Sequence, residues 1–224
     1  MRNGTRTSKA PRTTADPGPP PESARESDRA AYSAAVRRVR PLDDEAIDRS
    51  YSLIRPRVLA RGTHLLRAGE QATSVFVVVS GLLREFFVLS DGTERSKAFI
   101  AEGEFSGSLA DLLSGHPSRA FIVAEETTRV LVGPYAEFRA LESTSAEWLA
   151  FGRTVAEGLL LRKAEREFEL LGLDATERYA RFAERYPGLE ARVSAKHVAS
   201  YLGITPVHLS RLRRARLAAS RSRR

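Results

Sequence analysis

The sequence of 224 residues contains no cysteine, and this absence excludes several kinds of chemistry. Disulfide bonds, thiolate zinc sites, cysteine-ligated iron–sulfur clusters and thiol redox switches all require that residue. The histidines are scattered, without metal-ligand spacing, at His64, His116, His197 and His208. We therefore expect no metal site, and haem sensing lacks ligands apart from a single axial histidine.

Long apolar runs are absent as well. No segment approaches the roughly 18 residues of a membrane-spanning helix, and the N-terminus has no hydrophobic signal segment. With 42% hydrophobic residues, the chain still has enough apolar side chains for a proper core. We also find no nucleophile–base pair, no P-loop glycine motif and no metal constellation. The expectation is a soluble cytoplasmic protein that is not an enzyme and has no membrane partner.

Acidic residues are missing from one end of the chain only. Residues 191–224 contain nine Lys and Arg and no Asp or Glu, whereas residues 1–190 contain 27 basic and 28 acidic residues. The last 34 residues therefore account for the whole net charge of +8. A block of cations of this kind is typical of a surface that meets a phosphate backbone.

The same region has the pattern of two short helices joined by a tight turn. Ser194 is a plausible N-cap, Gly203 supplies the turn, and Thr205-Pro206 restarts a helix with an N-cap and a first-turn proline. Apolar inner faces are predicted for Val198, Ala199, Leu202, Leu209 and Leu212. This pattern predicts a helix-turn-helix whose second helix enters the DNA major groove.

Contacts to DNA can be assigned from that prediction. The N-terminal part of the second helix should reach the base edges, and Arg211 is the best candidate for a bidentate guanine contact. Residues expected nearest the bases are Val207, His208, Ser210 and Arg211, with Thr205 at the helix start. Residues expected at phosphates are Lys196, Arg213, Arg214 and Arg216.

The middle of the chain has the pattern of a β-structure between helical segments. Helical periodicity from Tyr32 to Leu53, interrupted at Pro41, precedes short strands between Pro56 and Val132. Asp91-Gly92 predicts a hairpin between Leu82–Leu89 and Arg95–Ile100. Strands this short, mostly without helices between them, predict an antiparallel barrel or jelly roll.

A second helical region follows Pro134. Thr144 and Glu147 predict a capping box that opens a helix running to about Leu171. Two apolar stripes lie on it: Trp148, Phe151, Val155 and Leu159, then Leu161, Ala164, Phe168 and Leu171. One stripe can pack on the strands, and the other needs a partner, most simply the same helix of a second copy. Burial of both within one monomer is the alternative.

This order of elements resembles the Crp–Fnr family of bacterial transcription regulators, over about Pro41 to Leu217. The segments that carry the resemblance are Leu65–Glu70, Val75–Gly81, Gly103–Gly107, Pro117–Leu131 and Ala199–Pro206. It implies an α+β fold with an N-terminal antiparallel β-roll of the cyclic nucleotide-binding type, a long dimerisation helix and a C-terminal helix-turn-helix. It also implies a homodimer on a near-palindromic operator, with double-stranded DNA, a second copy of the chain and RNA polymerase as partners.

The resemblance fails at the positions that hold cyclic AMP in other family members. There, a glutamate binds the ribose and an arginine followed by Ser or Thr binds the cyclic phosphate. Here Ser108 stands at the glutamate position, and the family's Arg-Ser pair falls on Ser118-Arg119 in reversed order. A one-residue shift turns a strand side chain to the opposite face. We expect no cyclic-AMP binding in the usual geometry and assign no cofactor.

Candidate lining residues of the ligand pocket follow from the same alignment. They are Ser106, Gly107, Ser108, Leu109, Arg119 and Ala120. Either this pocket binds a different small molecule, or it is vestigial and regulation acts through protein abundance.

The sequence thus predicts four segments. Residues 1–30 form a disordered tail, 31–133 the β-roll sensor domain, 134–172 the connecting and dimerisation helix, and 173–224 the helix-turn-helix domain with a basic tail, without a full C-terminal wing. The leading function is a sequence-specific DNA-binding regulator. The alternative is a module for cyclic nucleotides or other small ligands whose helical C-terminal domain mediates protein contacts.

Overall fold

Two antiparallel four-stranded sheets form the centre of the structure, a computed structural model that describes residues 22–221. The first sheet has the strand order β1-β8-β3-β6 and the second β2-β7-β4-β5. The strands are β1 (Arg55–Leu59), β2 (His64–Leu66), β3 (Ser74–Ser80), β4 (Leu83–Val88), β5 (Glu94–Ile100), β6 (Phe105–Ser106), β7 (Phe121–Ala124) and β8 (Thr128–Pro134). The predicted β-roll is confirmed; the short strand β6 was not expected.

Helices surround the roll and follow it. They are α1 (Glu22–Val39), α2 (Asp44–Tyr51), α3 (Leu109–Ser114), α4 (Tyr135–Thr144), α5 (Ala146–Gly172), α6 (Ala175–Arg185), α7 (Ala195–Leu202) and α8 (Pro206–Arg221), with a 3-10 turn at Leu189–Ala191. Among residues 22–221 we find no helix that is both long enough and apolar enough to cross a membrane.

The Asp91-Gly92 turn between β4 and β5 forms as predicted. The Leu89 N–H donates to the Thr93 carbonyl oxygen at 2.9 Å. The Asp91 carboxylate accepts a hydrogen bond from the Thr93 N–H at 2.8 Å. Both bonds are local, which explains why this hairpin is readable from a few residues.

Helix α1 corrects the predicted N-terminal tail. The tail was expected to reach residue 30, but the chain is helical from Glu22, and only residues 1–21 of that prediction lie outside the described residues. Asp28 is 1% exposed and receives two hydrogen bonds from the Arg129 guanidinium, at 2.7 and 2.6 Å. Tyr32 is fully buried against the same sheet. Contacts with β8 thus order a segment whose own composition is poor in apolar residues.

The helix predicted from Thr144 to about Leu171 is formed as α5 (Ala146–Gly172). The expected connecting segment 134–172 is not one helix, because α4 occupies Tyr135–Thr144 and ends before Ser145. The N-cap is Ser145, whose hydroxyl accepts from the Trp148 N–H at 3.4 Å, and not Thr144 as expected. The Thr144 hydroxyl instead donates to carbonyl oxygens of α4. Trp148 in the first turn of α5 is buried, and its indole N–H donates to the Ala46 carbonyl oxygen at 3.2 Å.

Candidate nucleic-acid interface and ligand cavity

Helices α7 and α8 form the predicted helix-turn-helix. The Ser194 hydroxyl accepts from the His197 N–H at 3.3 Å and caps α7. Gly203 ends α7 with a φ of 70°, a left-handed conformation that favours glycine. The Thr205 hydroxyl then accepts from the His208 N–H at 3.2 Å and caps α8. The inner faces are buried, at Val198, Ala199, Leu202 and Leu209.

The outer face of α8 carries most of the residues expected at DNA. The exposed ones are Thr205, Val207, His208, Ser210, Arg211, Arg214 and Arg216, and Lys196 is exposed on α7. Arg213 differs because it is half-buried and its Nε donates to Glu190 Oε1 at 3.1 Å. The Arg216 guanidinium lies 5.6 Å from the centre of the Tyr179 ring. These contacts hold two of the four expected phosphate ligands close to the domain surface.

The C-terminal domain (residues 174–221) packs against the β-roll (residues 55–134). Phe99 on β5 is buried against three aromatic rings, with centroid distances of 6.3 Å to Phe182, 5.8 Å to Tyr186 and 5.6 Å to Tyr201. Leu82 is fully buried in the same cluster. Sequence reasoning missed this interface, because a buried Phe in a strand is equally expected in an ordinary sheet core.

A cavity of about 230 Å³ opens in the β-roll. This is smaller than the range of roughly 300–1,000 Å³ that is typical of ligand pockets. It is lined by Arg57, Leu65, Leu66, Glu70, Gln71, Ala72, Thr73, Ser74, Phe76, Ser108, Ile122 and Val132. Of the six residues expected to line a pocket, only Ser108 does so.

The other expected pocket residues lie elsewhere. Ser106, Gly107 and Leu109 are partly buried, and Ala120 is buried but does not line the cavity. Ser118 is 3% exposed, whereas the Arg119 side chain is exposed to solvent. Arg119 does not line the cavity, although its charge lies close enough to Asp111 to help lower the pKa of that carboxyl group.

A carboxylate that the sequence analysis did not single out lies beside the cavity. The Ser108 hydroxyl donates to Asp111 Oδ2, and Asp111 is 7% exposed. Burial by itself would raise the pKa of Asp111, but the hydrogen bond from Ser108 helps to hold it below its ordinary value. An ionised carboxylate at this place disfavours an anionic ligand. Ser108 at the N-cap of α3 and Asp111 are three residues apart in the sequence, and this spacing could have identified the pair.

Helix α5 has one buried and one exposed apolar stripe. Trp148 and Phe151 are buried in a core shared with α1, α2 and the first sheet. In the second stripe, Leu161 is 67% exposed, Phe168 55% and Leu171 81%, and Ala164 is also exposed. The expectation that one stripe remains without a partner within the monomer is confirmed for these side chains.

Comparison with known proteins finds the same architecture. The family model of the cyclic nucleotide-binding domain matches residues 56–145. The chain is 25% identical over 187 residues to the fumarate and nitrate reduction regulatory protein of Vibrio cholerae, which covers 76% of this chain and 72% of that protein. It is 27% identical over 186 residues to the anaerobic regulatory protein of Aggregatibacter actinomycetemcomitans, a match that covers 76% of this chain and 70% of that protein.

A solved structure resembles the fold. FixK2 from Bradyrhizobium japonicum matches with a TM-score of 0.66 at 22% sequence identity, over 75% of this chain and 85% of that one. At this level of identity the likeness shows the fold alone. The two relatives named above are both regulatory proteins.

Proposed function

We propose that this chain, which belongs to the Crp–Fnr family of transcription regulators, acts as a homodimer that binds a near-palindromic DNA operator. One observation carries the proposal: α7, Gly203 and α8 form a helix-turn-helix whose outer face exposes Arg211 and a set of further cations. In such a motif the second helix lies in the major groove, and a two-fold dimer places two of them on half-sites about one helical turn apart.

The exposed stripe of α5 is the proposed dimer surface. Leu161, Phe168 and Leu171 are large, apolar and adjacent at helical spacing, and exposed patches of this kind mark interaction sites. A second copy presents the same stripe, so a two-fold axis beside α5 would cover both. The dimer would work in the cytoplasm and contact RNA polymerase, to which we assign no residues.

The effector is proposed not to be cyclic AMP. Arg119 does not line the cavity, Ser108 replaces a carboxylate, and Asp111 adds negative charge beside the small cavity. A cyclic phosphate would therefore lack the arginine that the family uses, and the cation that lines the cavity is Arg57 of β1. Recognition of a different small molecule and control by protein abundance remain the two forms of regulation that fit.

Substitution of single arginines on α8 tests the proposal. With a duplex obtained by selection from random sequence, Arg211→Ala should lose about 1–3 kcal/mol of binding to the selected site and much less to random DNA. Arg214→Ala should weaken both duplexes alike, because a phosphate contact carries no sequence information. Arg61→Ala, an exposed arginine of the β1–β2 turn, is the matched control and should leave both unchanged.

Fluorescence anisotropy over a series of salt concentrations provides the measurement. Steep loss of affinity with salt, together with preference for the selected site, is expected of the wild-type protein. Equal weakening of both duplexes by Arg211→Ala would contradict the assignment of Arg211. Absence of duplex binding at any salt concentration would favour the alternative, a ligand-binding module whose C-terminal domain contacts protein.

A further inference from the structure

The C-terminal domain is attached to an edge of the second sheet. Strand β5 is the last strand in the order β2-β7-β4-β5, so its outward backbone groups have no strand partner. Ser200 of α7 takes that place. Its hydroxyl accepts from the Ser96 N–H at 2.9 Å and donates to the Glu94 carbonyl oxygen at 2.9 Å. One side chain therefore satisfies one N–H and one carbonyl oxygen of this sheet edge.

A buried carboxylate makes the second attachment. Glu125, 5% exposed in the loop after β7, accepts from Arg84 Nε at 2.6 Å within the β-roll. It also lies 3.0 Å from His197 Nδ1 of α7. One carboxylate thus joins the core of the roll to the first helix of the helix-turn-helix.

An arginine outside the helices makes the third attachment. Arg192 donates to Glu102 Oε1 at 2.6 Å and to Glu126 Oε1 at 2.6 Å. Glu102 in turn accepts from the Gly81 N–H at 3.0 Å, at the end of β3. The basic side of this interface belongs to the C-terminal domain and the acidic side to the β-roll.

These three attachments and the shared core around Phe99 hold the C-terminal domain to the β-roll at several separate points. We call Arg192, His197 and Ser200, together with their partners on the β-roll, the clamp. In the clamp, Arg192 and Ser200 each bond two residues of the β-roll, and His197 contacts a carboxylate that is almost completely buried. Such contacts resist both sliding and rotation of the C-terminal domain on the β-roll. Helix α8 is on the other side of α7's turn and keeps its DNA-facing side chains exposed.

We propose that the clamp positions the helix-turn-helix relative to the dimer axis and thereby sets the half-site spacing that the protein accepts. The inference rests on the proposed dimeric DNA binding. The β-roll packs on the first half of α5 around Trp148 and Phe151, so the clamp links the C-terminal domain to the helix that carries the proposed dimer surface. Arg185 of α6 adds a direct ion pair to Glu169 of α5. Arg192, His197 and Ser200 are then positioning residues, which determine specificity without contacting bases.

The test compares spacing profiles, which are the relative affinities of one protein for operators that differ only in spacer length. A loss of general DNA affinity would not change such a profile. The wild-type protein is titrated against its selected palindrome and against versions whose spacer is longer or shorter by about two base pairs, about a fifth of a helical turn. We expect the changed spacers to weaken wild-type binding by about tenfold or more. His197→Gln/Ser200→Ala should bind the three duplexes with similar affinities and keep its affinity for a single half-site.

Matched controls separate loosening from misfolding. His116→Gln/Ser143→Ala makes the same chemical changes at exposed residues outside the clamp and should retain the wild-type profile. Arg192→Ala breaks the third attachment independently and should also flatten the profile. Since the chain has no cysteine, Leu89→Cys/Ala180→Cys permits specific labelling, and energy transfer between the labels should report a widened distance distribution in the clamp variants.

The possible results distinguish failure of the proposed function from failure of the clamp inference. If wild-type protein prefers no selected duplex over random DNA, the proposed function fails. If it binds selectively but accepts every spacer equally, the clamp inference alone is overturned. It is also overturned if both clamp variants keep the wild-type spacing profile, or if energy transfer shows that neither variant loosens the domain.

Discussion

Glu125 is the side chain whose chemistry is most altered by the fold. It is almost completely buried between Arg84 and His197. Burial by itself would raise the pKa of Glu125, but hydrogen bonds from His197 and Arg84 outweigh it and hold that pKa below its ordinary value of 4.5. A carboxyl group with a depressed pKa stabilises the folded state above its ordinary pKa, and this contribution is lost as the pH falls through the depressed value.

Glu125→Gln should therefore destabilise the protein in a pH-dependent way. At about pH 7 we expect the free energy of unfolding to fall by about 3–5 kcal/mol, the usual cost of removing one partner of a buried ion pair. The difference from wild type should narrow as the pH is lowered below 4.5, because the wild-type carboxylate becomes protonated as the pH falls through its depressed pKa. Urea unfolding at neutral pH and over a series of lower pH values measures this.

The matched control is Glu157→Gln, which removes an exposed partner of Arg153 on α5. Exposed pairs of this kind contribute about 0.5 kcal/mol or less, across this pH series. Equal effects of the two substitutions would show that Glu125 carries no special stabilisation. A Glu125→Gln effect that does not change with pH would contradict the pKa argument.

Among the elements, α5 has two different apolar faces. Its first turns bury Trp148 and Phe151 under α1 and α2, which leaves the stripe through Leu161 and Phe168 uncovered in the monomer. Exposure of a large apolar stripe to water is unfavourable in free energy. In a two-fold dimer each copy covers the stripe of the other, so both stripes are removed from water.

Leu161→Glu/Phe168→Glu should convert the proposed dimer to monomers, because two charges per helix would be buried without partners. Sedimentation velocity at roughly micromolar concentration distinguishes the two states, and operator binding should weaken because the two half-sites are no longer linked. Leu113→Glu/Val58→Glu changes equally exposed apolar residues of α3 and β1 and should remain dimeric. A wild-type protein that sediments as a monomer would exclude the dimer proposal.

At the scale of the whole molecule, the property to test is which small molecule it binds as an effector. A ligand at 100 times its dissociation constant adds about 2.7 kcal/mol to the stability of the form that binds it. With Arg119 outside the cavity and Asp111 beside it, we expect no stabilisation by cyclic AMP or cyclic GMP below millimolar concentration. Thermal unfolding with each nucleotide is the measurement, and a linear nucleotide monophosphate controls for ionic effects. A shift of several degrees would restore a cyclic nucleotide as the effector.

Features that depend on a few neighbouring residues were predictable from the sequence. The Asp91-Gly92 turn and the caps at Ser194 and Thr205 are all formed. In each case a side chain satisfies a backbone group at most three residues away, so the pattern and the structure are nearly the same observation.

Features that depend on distant residues were missed or misplaced. Helix α1 is stabilised by Arg129, which is 101 residues away in the chain, and nothing within residues 22–30 announces that partner. The Trp148 indole N–H likewise donates to the Ala46 carbonyl oxygen, 102 residues away, and no local pattern indicates that partner. The expected pocket residues were taken from an alignment, whereas the cavity is made where strands from both sheets converge.

The sequence by itself determined the identity of the parts: a strand-rich middle, an amphipathic helix and a basic helix-turn-helix, because hydrophobic period, turn residues and charge are local properties of the chain. Only the tertiary structure decided how these parts meet. Ser200 on the edge of β5, Glu125 between Arg84 and His197, and Arg119 outside the cavity are consequences of packing and register, which are set by the joint burial of residues far apart in the sequence.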